Sequence, residues 1–412
     1  MTDIVTRADI ALKRDLCDHC LGRIFALVGT GRTNEARGQE AREWVRLERE
    51  RRAEDLPPHH ECWLCGNIFD SLPRFASAVV KALSKVEYNS FLIGTKVDPE
   101  IQEREERLWS EVGQETAEPI KAELNREIGK IVEAEVEKPV EFEAPDVVTL
   151  VDTRFAQVDL DVSPLFIYGR YRKLVRDMPQ TRWPCTKCRG KGCERCNFTG
   201  KMYETSVQEV IGDPIMRAAG GKDHFFHGMG REDIDARMLG TGRPFVVEVR
   251  EPRMRNLNLA EMEREINEAG RGRVEVSGLR ASSRAEVRRV KSASPSKTYR
   301  VEIAVHSKVD KGKINEVLQS FKRTRITQQT PVRVAHRRAD MAREREIIDI
   351  HLEEFGEDSI TLVVKTEAGT YVKEFVHGDG GRTRPSLSDA LDSPCEVRSL
   401  DVIEINDDTG EE

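Results

Sequence analysis

Eight of the nine cysteines in this chain fall into four C-x-x-C pairs: Cys17 and Cys20, Cys62 and Cys65, Cys185 and Cys188, Cys193 and Cys196. Two thiolates three residues apart can turn back onto one tetrahedral metal ion, whereas a reducing compartment disfavours disulfides. Four pairs make two four-sulfur sites, each expected to hold Zn²⁺. The first brings residues near 17 and 62 together and staples the N-terminal part of the chain. The second is the run Cys185-Thr-Lys-Cys188-Arg-Gly-Lys-Gly-Cys193-Glu-Arg-Cys196, where Gly190 and Gly192 free the backbone so that two knuckles can face one metal. Closed four-thiolate sites leave no open coordination position, so these metals should hold the fold and not perform chemistry. A redox-active pair or simple buried thiols are the weaker readings, and no thioredoxin-like context supports the first. Cys395 stands alone and reads as a buried small apolar side chain.

At 412 residues the chain exceeds one ordinary core, so two or three domains are expected. Charged residues make up 34% of it, yet Leu, Ile, Val and Phe recur throughout, which points to a soluble globular protein. The stretch from Met1 to Arg14 lacks the uninterrupted apolar core of a secretory signal, and no membrane span is visible, so a cytoplasmic location is expected. A net charge of -7 argues against a grip on nucleic acid by uniform basicity, but the charges are segregated. Acidic residues dominate Glu133 to Glu143 and Asp407 to Glu412, while Arg271 to Arg300 carries nine cations against two carboxylates. That stretch fits a phosphate-binding face or a solvated loop and helix surface equally well.

Apolar spacing predicts helices from Asp3 to about Glu54, a helix from Ser71 to Ser84, a strand from Val86 to Ile93, and a charged helical region from Asp98 to Ala134 broken near Pro119. Strands are expected at Val147 to Val151 and Gln157 to Val162. A composition change at Ser163-Pro164 sets the domain boundary, giving residues 1–163 and 164–412, with a four-cysteine knuckle inserted at 183–200. The second part reads as α+β, with strands at Phe245 to Arg250, Lys297 to His306, Thr361 to Lys365 and Val397 to Ile405, and helices near Leu259 to Asn267 and Ile314 to Phe321. These suit a large mixed sheet with helices packed on one face.

Three polar segments of the second part do not read as core or as ordinary loops. The first runs from His227 to Phe245 through Gly230-Arg231-Glu232-Asp233, with glycines too dense for a helix. The second, Ser294 to Ile303, is a turn entering an alternating strand at Lys297-Thr298-Tyr299. The third is Gly369 to Asp379, containing Tyr371-Val372-Lys373. Taken alone, Asp233 would be a cap or turn residue, and Tyr299 and Tyr371 half-buried strand residues.

At these residues the sequence resembles the pseudouridine synthases, specifically the archaeal and eukaryotic Pus-ten family that acts on tRNA. Asp233 matches the family's indispensable aspartate and Tyr299 its base-stacking aromatic. Tyr371, Val372 and Lys373 match the segment that supplies an apolar residue under the uracil and a cation for the aspartate, with Arg231 as a neighbouring aid. The likeness also takes in Tyr168 to Lys173, Gln180 to Trp183, Thr330 to Val334 and His336 to Asp340, and so extends from about Leu165 to Ile405. The resemblance implies an α+β fold. Its parts are a pseudouridine synthase-type mixed β-sheet catalytic domain with helices and an N-terminal zinc-bearing THUMP-like α/β accessory domain that binds tRNA. The knuckle fits the archaeal branch.

The implied reaction isomerises T-loop uridines 54 and 55 with no organic cofactor, two structural Zn²⁺ and no obligate protein partner. A carboxylate can serve either by attacking the sugar or by removing the C2′ proton, and the sequence leaves both routes open. Asp235 is a rival two positions on, disfavoured because the matched loop has its carboxylate directly after Arg-Glu. Arg237, Arg243, Arg337 and Arg338 are expected to hold phosphates. The competing reading is a non-catalytic zinc-containing RNA-binding adaptor with a synthase-like fold, which would have no need to retain Asp233, Tyr299 and Lys373 together. A zinc-dependent chaperone domain is weaker still, since the C-x-x-C-x-G-x-G string occurs once.

Overall fold

The structure is a computed structural model and describes residues 2–337 and 339–407. The chain divides into two compact units, one formed by Met1–Pro164 with Glu251–Arg255 and the other by Leu165–Arg250 with Asn256–Glu412. Among the described residues no helix is long and apolar enough to cross a membrane.

The first unit sets helices beside a three-stranded sheet of β1 (Phe91–Lys96), β2 (Val147–Asp152) and β3 (Gln157–Val162). β1 and β2 run parallel, and β3 closes the sheet antiparallel. Inward Phe91 and Ile93 are buried in one core with Leu124, Ile128 and Val132 of the helix Ile120–Val136. The predicted helical region does break at Pro119, giving Pro99–Val112, capped by Asp98, and Ile120–Val136. The predicted strand from Val86 starts later. The Val86 amide still donates to Leu83 O in the turn closing helix Leu72–Leu83, so extended backbone begins only at Phe91.

Helices Asp18–Arg23 and Asn34–Arg51 cross backbone to backbone. A Cβ on Gly22 would stand 1.7 Å from Asn34 O, and one on Gly38 1.9 Å from Asp18 O. This contact fixes the helix that carries Cys20. Arg23, 2% exposed, places Nη2 3.2 Å from Glu105 Oε1 and Nε 3.6 Å from Glu123 Oε2, tying that helix to Pro99–Val112 and Ile120–Val136.

The second unit is built on a ten-stranded sheet. Its strands are β4 (Leu165–Lys173), β5 (Asp223–Gly228), β6 (Arg237–Arg250), β7 (Val274–Ser282), β8 (Ser296–Val305), β9 (Thr324–Gln329), β10 (Ala342–Phe355), β11 (Ser359–Thr366), β12 (Thr383–Arg384) and β13 (Cys395–Asn406). Their order is β12-β9-β10-β11-β8-β13-β6-β4-β7, with β5 also on β6. Neighbours are antiparallel except β13 and β6, whose two paired positions, Arg237 with Asp401 and Met238 with Val402, join the halves of the sheet. One apolar cluster gathers Ile211, Phe245, Ile266 and Val290 on the β4–β6–β7 side, and another gathers Ile303, Phe321, Ile350 and Phe375 on the β8–β10–β11 side. Cys395 is buried in the latter cluster.

Within the basic stretch Arg271 to Arg300, Arg271 and Arg273 lie in the turn before β7, and the rest forms β7, helix Arg284–Ser292 and the start of β8 with short connections between them. Two of its arginines, Arg280 and Arg289, are each 2.6 Å from Glu286.

Gly22→Ala is expected to force the two crossing helices apart and cost about 2–3 kcal/mol, the upper range for an overpacked interior. Thermal unfolding of the mutant against wild type, followed by circular dichroism, measures it.

Candidate active site

The register of the central strands brings the three polar segments to one end of the sheet. Lys297 at the start of β8 lies opposite Thr366 at the end of β11, so the turn after β11, and with it Tyr371 to Lys373, emerges beside Tyr299. Tyr299 in turn faces Val402 of β13, the residue whose other neighbour is Met238 at the start of β6. The loop 229–236 enters β6 at that point. The segments line a cavity of about 610 Å³ with Trp183, Asp233, Tyr299, Arg333, Val372 and Lys373 in its wall.

What holds the loop is a buried charge cluster behind it. The Glu232 carboxylate is fully buried and accepts from Tyr171 Oη at 2.8 and 3.0 Å; Arg243 Nε lies 3.0 Å from it and Lys173 Nζ 3.9 Å. Tyr171 and Lys173 alternate with exposed Arg172 along β4, which is why both face this loop. The same side chains reach the loop's carbonyls. Lys173 Nζ donates to Asp233 O at 3.2 Å and Ile234 O at 3.0 Å, Gln180 Nε2 to Gly230 O at 3.1 Å, and Arg243 Nη1 to Met229 O at 2.7 Å. Burial presses the Lys173 ammonium toward its neutral form and pushes the Tyr171 phenol far up, the second reinforced by the Glu232 charge. Burial also opposes the Arg243 charge, but Glu232 outweighs it.

With Glu232 drawn inward, the next carboxylate points into the cavity. Arg333 Nη1 donates to both Asp233 oxygens at 2.9 Å. The other edge of the Arg333 guanidinium grips Glu374, Nε to Oε1 at 2.6 Å and Nη2 to Oε2 at 3.1 Å. Lys373 Nζ stands 3.8 Å from Asp233 but 2.6 Å from Asp235. Desolvation raises the Asp235 pKa, yet the Lys373 ammonium prevails and holds that carboxylate below its usual range. Tyr299 is half-buried in the wall, its phenol pushed up to about 12 by desolvation.

The geometry redistributes several expected roles. The cation in double contact with Asp233 is Arg333, and the closer partner of Lys373 is Asp235; Arg333 was visible in Thr330 to Val334 only as part of a matched string. Arg231 lies over the Trp183 ring, 5.3 Å from its centroid. Arg243 is 1% exposed and turned to Glu232, so it cannot hold a phosphate, and Arg237 is bound to Asp401 at 2.6 and 3.0 Å. Arg338 and the side chain of Arg337 lie outside the described residues, as does the acidic tail beyond Asp407. Tyr371 is not a strand residue: it begins helix Val372–His377, and buried Gln328 holds its backbone, accepting from N at 2.8 Å and donating to O at 2.9 Å. Val372 is buried against the cavity.

Eight of the cysteines assemble into two clusters, Cys17, Cys20, Cys62 and Cys65 in the first unit and Cys185, Cys188, Cys193 and Cys196 in the second. Within each, all four sulfurs lie within 4.8 Å of one another, so each could hold a metal ion. In the second, amides of Gly192 and Gly200 donate to Cys188 Sγ at 3.2 Å and Cys196 Sγ at 3.3 Å. Desolvation works against the Cys196 thiolate, but the amides of Cys193 and Gly200 bring its pKa down to about 6.

The family model described as "Pus10, C-terminal" matches residues 166–406, and that described as "Pus10 THUMP domain, archaeal" matches residues 75–152. The tRNA pseudouridine synthase Pus10 of Methanothrix thermoacetophila is 42% identical over 414 residues, 95% of this chain and 91% of that protein. Its counterpart in Methanothermobacter marburgensis is 43% identical over 98% of this chain and 99% of that protein, and the one in Methanopyrus kandleri 39% over 99% and 100%.

Glu232→Ala strips the buried cations of their carboxylate and is expected to destabilise the second unit by about 3–5 kcal/mol. Denaturant unfolding tests this, with Asp233→Ala, at a half-exposed position, expected to change stability far less.

Proposed function

The chain belongs to the Pus10 family of tRNA pseudouridine synthases, and we propose that it converts uridines 54 and 55 of the tRNA T-loop to pseudouridine with Asp233 as the essential carboxylate. The observation that carries this reading is the Asp233 carboxylate, facing a 610 Å³ cavity while both its oxygens accept from Arg333 at 2.9 Å.

The reaction breaks the bond from uracil N1 to ribose C1′ and forms one from C5 to the same carbon; C5 gives up its proton and N1 gains one, so no oxidant or reductant is consumed. Asp233 either attacks C1′ or takes the C2′ proton, and both routes require it ionised. A carboxylate in a closing pocket loses hydration, which favours its neutral form, and the adjacent Arg333 and Lys373 charges offset that. Glu374 holds Arg333 from the far side, so the guanidinium does not have to be ordered on substrate arrival.

A uridine within a folded T-loop reaches this cavity only when flipped, at a cost of a few kcal/mol. Tyr299 stacks on the extruded base, contributing about 1–3 kcal/mol, and Val372 supports the ring from the apolar side. Tyr371 and Arg231 complete the wall around the nucleoside.

Residues 1–163 serve as the zinc-bearing, THUMP-like tRNA-binding domain and 164–412 as the catalytic domain, with the knuckle 183–200 inserted. A tetrahedral Zn²⁺ with bonds near 2.3 Å separates its sulfurs by about 3.8 Å. The sulfur separations of 3.7 Å for Cys17 and Cys65, 3.9 Å for Cys185 and Cys193, and 3.8 Å for Cys188 and Cys196 fit that spacing. Both ions are structural. No organic cofactor or obligate protein partner is needed, and an archaeal cytoplasm suits reduced thiolate sites. The adaptor reading loses ground because Arg333 and Glu374 add an oriented ion-pair chain that RNA binding alone does not require.

Purified protein incubated with an unmodified tRNA transcript is expected to place pseudouridine at 54 and 55, and Asp233→Ala to place none; product from the mutant at the wild-type rate would remove Asp233 from this role. Arg333→Ala should lower kcat roughly 10²-fold, as when one preorganised charge partner is removed. Elemental analysis should return close to two zinc ions per chain, and a value near one would leave a cysteine cluster without its metal.

A further inference from the structure

The knuckle carries side chains that metal binding does not explain. Phe198, directly after the last turn of the cluster, is 74% exposed, and its backbone is left-handed at φ 60°, following Asn197 at φ 48°. The turn itself is dictated by the sulfurs: the Phe198 amide donates to Cys193 O at 2.9 Å, and the Gly200 amide must reach Cys196 Sγ. Glycine or asparagine suits such a backbone; a bulky aromatic is disfavoured there, and water disfavours exposing it. Two local preferences thus oppose a phenylalanine at this position.

Around it the charge is one-sided. Lys187, Arg189, Lys191 and Arg195 are all exposed, none meets a carboxylate among the described residues, and Glu194 is the lone acidic residue between Cys185 and Phe198. The knuckle grows from a short two-stranded stem in which the Met202 amide donates to Trp183 O at 3.0 Å and Pro184 bridges Lys201. Trp183 lines the cavity that contains Asp233, so the stem is rooted in the wall of that cavity. An aromatic face among unpaired cations is the arrangement that takes an unpaired base between its phosphates.

We propose that the knuckle is a second RNA contact, in which Phe198 stacks on an unpaired base of the bound tRNA and Lys187, Arg189, Lys191 and Arg195 hold the phosphates flanking it. This rests on the reading of the cavity as the uridine site, since the stem sets the knuckle beside whatever RNA enters there.

The test uses the full-length, metal-loaded protein with an unmodified tRNA transcript. Phe198→Ala is expected to raise Kd and KM about tenfold, the size of one lost base–aromatic stack, with the effect falling on KM and not on kcat. Phe198→Trp should restore tight binding. Phe198→Asn should bind tRNA as poorly as Phe198→Ala while keeping its metal content and a Tm no lower than wild type, because asparagine accepts the left-handed backbone. Removing Arg189 and Lys191 together should flatten the dependence of log Kd on log salt by about 1.4. Wild-type Kd in Phe198→Ala would overturn the proposal and leave the aromatic to a protein partner, and loss of metal from Phe198→Asn would make it structural. If wild type binds tRNA but forms no pseudouridine, the catalytic reading fails while the Kd comparison still decides this one.

Discussion

A buried carboxylate with nowhere else to go organises this protein. Glu232 sits fully enclosed between Arg243, Lys173 and the Tyr171 hydroxyl. A buried charge is tolerable only when paired and hydrogen-bonded, so the loop that carries it has little freedom. With Glu232 pinned inward, Asp233, next in the chain, lines the cavity. The same cations that neutralise Glu232 also bind the carbonyls of Met229, Asp233 and Ile234, so one cluster fixes both backbone and side chain. Catalysis by a single carboxylate depends on that placement, since an error of about 1 Å can cost 10²-fold in rate.

A second layer acts from the opposite wall. Glu374 and Asp233 share Arg333, and Asp235 takes up Lys373. Two carboxylates two residues apart are thereby given different cations. The Asp235 side chain is 57% exposed against 28% for Asp233.

Much of this was legible in the sequence, and the limits have physical causes. Cysteine spacing announced both four-cysteine clusters, because ligand spacing is local. Strands with strong alternation, such as Lys297 to His306, stood out; β10 was assigned no element, because its Ala-Arg-Glu-Arg-Glu opening lacks apolar alternation and only pairing with β9 and β11 makes it a strand. Asp233, Tyr299 and Lys373 were singled out by family resemblance, and the fold brings all three to the wall of one cavity. Arg333 could not be ranked, because its role depends on a contact across 100 residues of sequence. Arg243 was misjudged for the converse reason: an arginine in a glycine-rich loop looks solvated until the fold buries it against Glu232.

On the proposed reading, the paired contact of Arg333 with both its oxygens selects Asp233, and not Asp235, as the reacting carboxylate. Single-turnover formation of pseudouridine by Asp233→Asn and Asp235→Asn, which leave loop shape nearly intact, tests it most directly. The account predicts no product from the first and turnover within about tenfold of wild type from the second, the loss expected for an auxiliary charge worth about 1.4 kcal/mol. Product from Asp233→Asn, with none from Asp235→Asn, would contradict it.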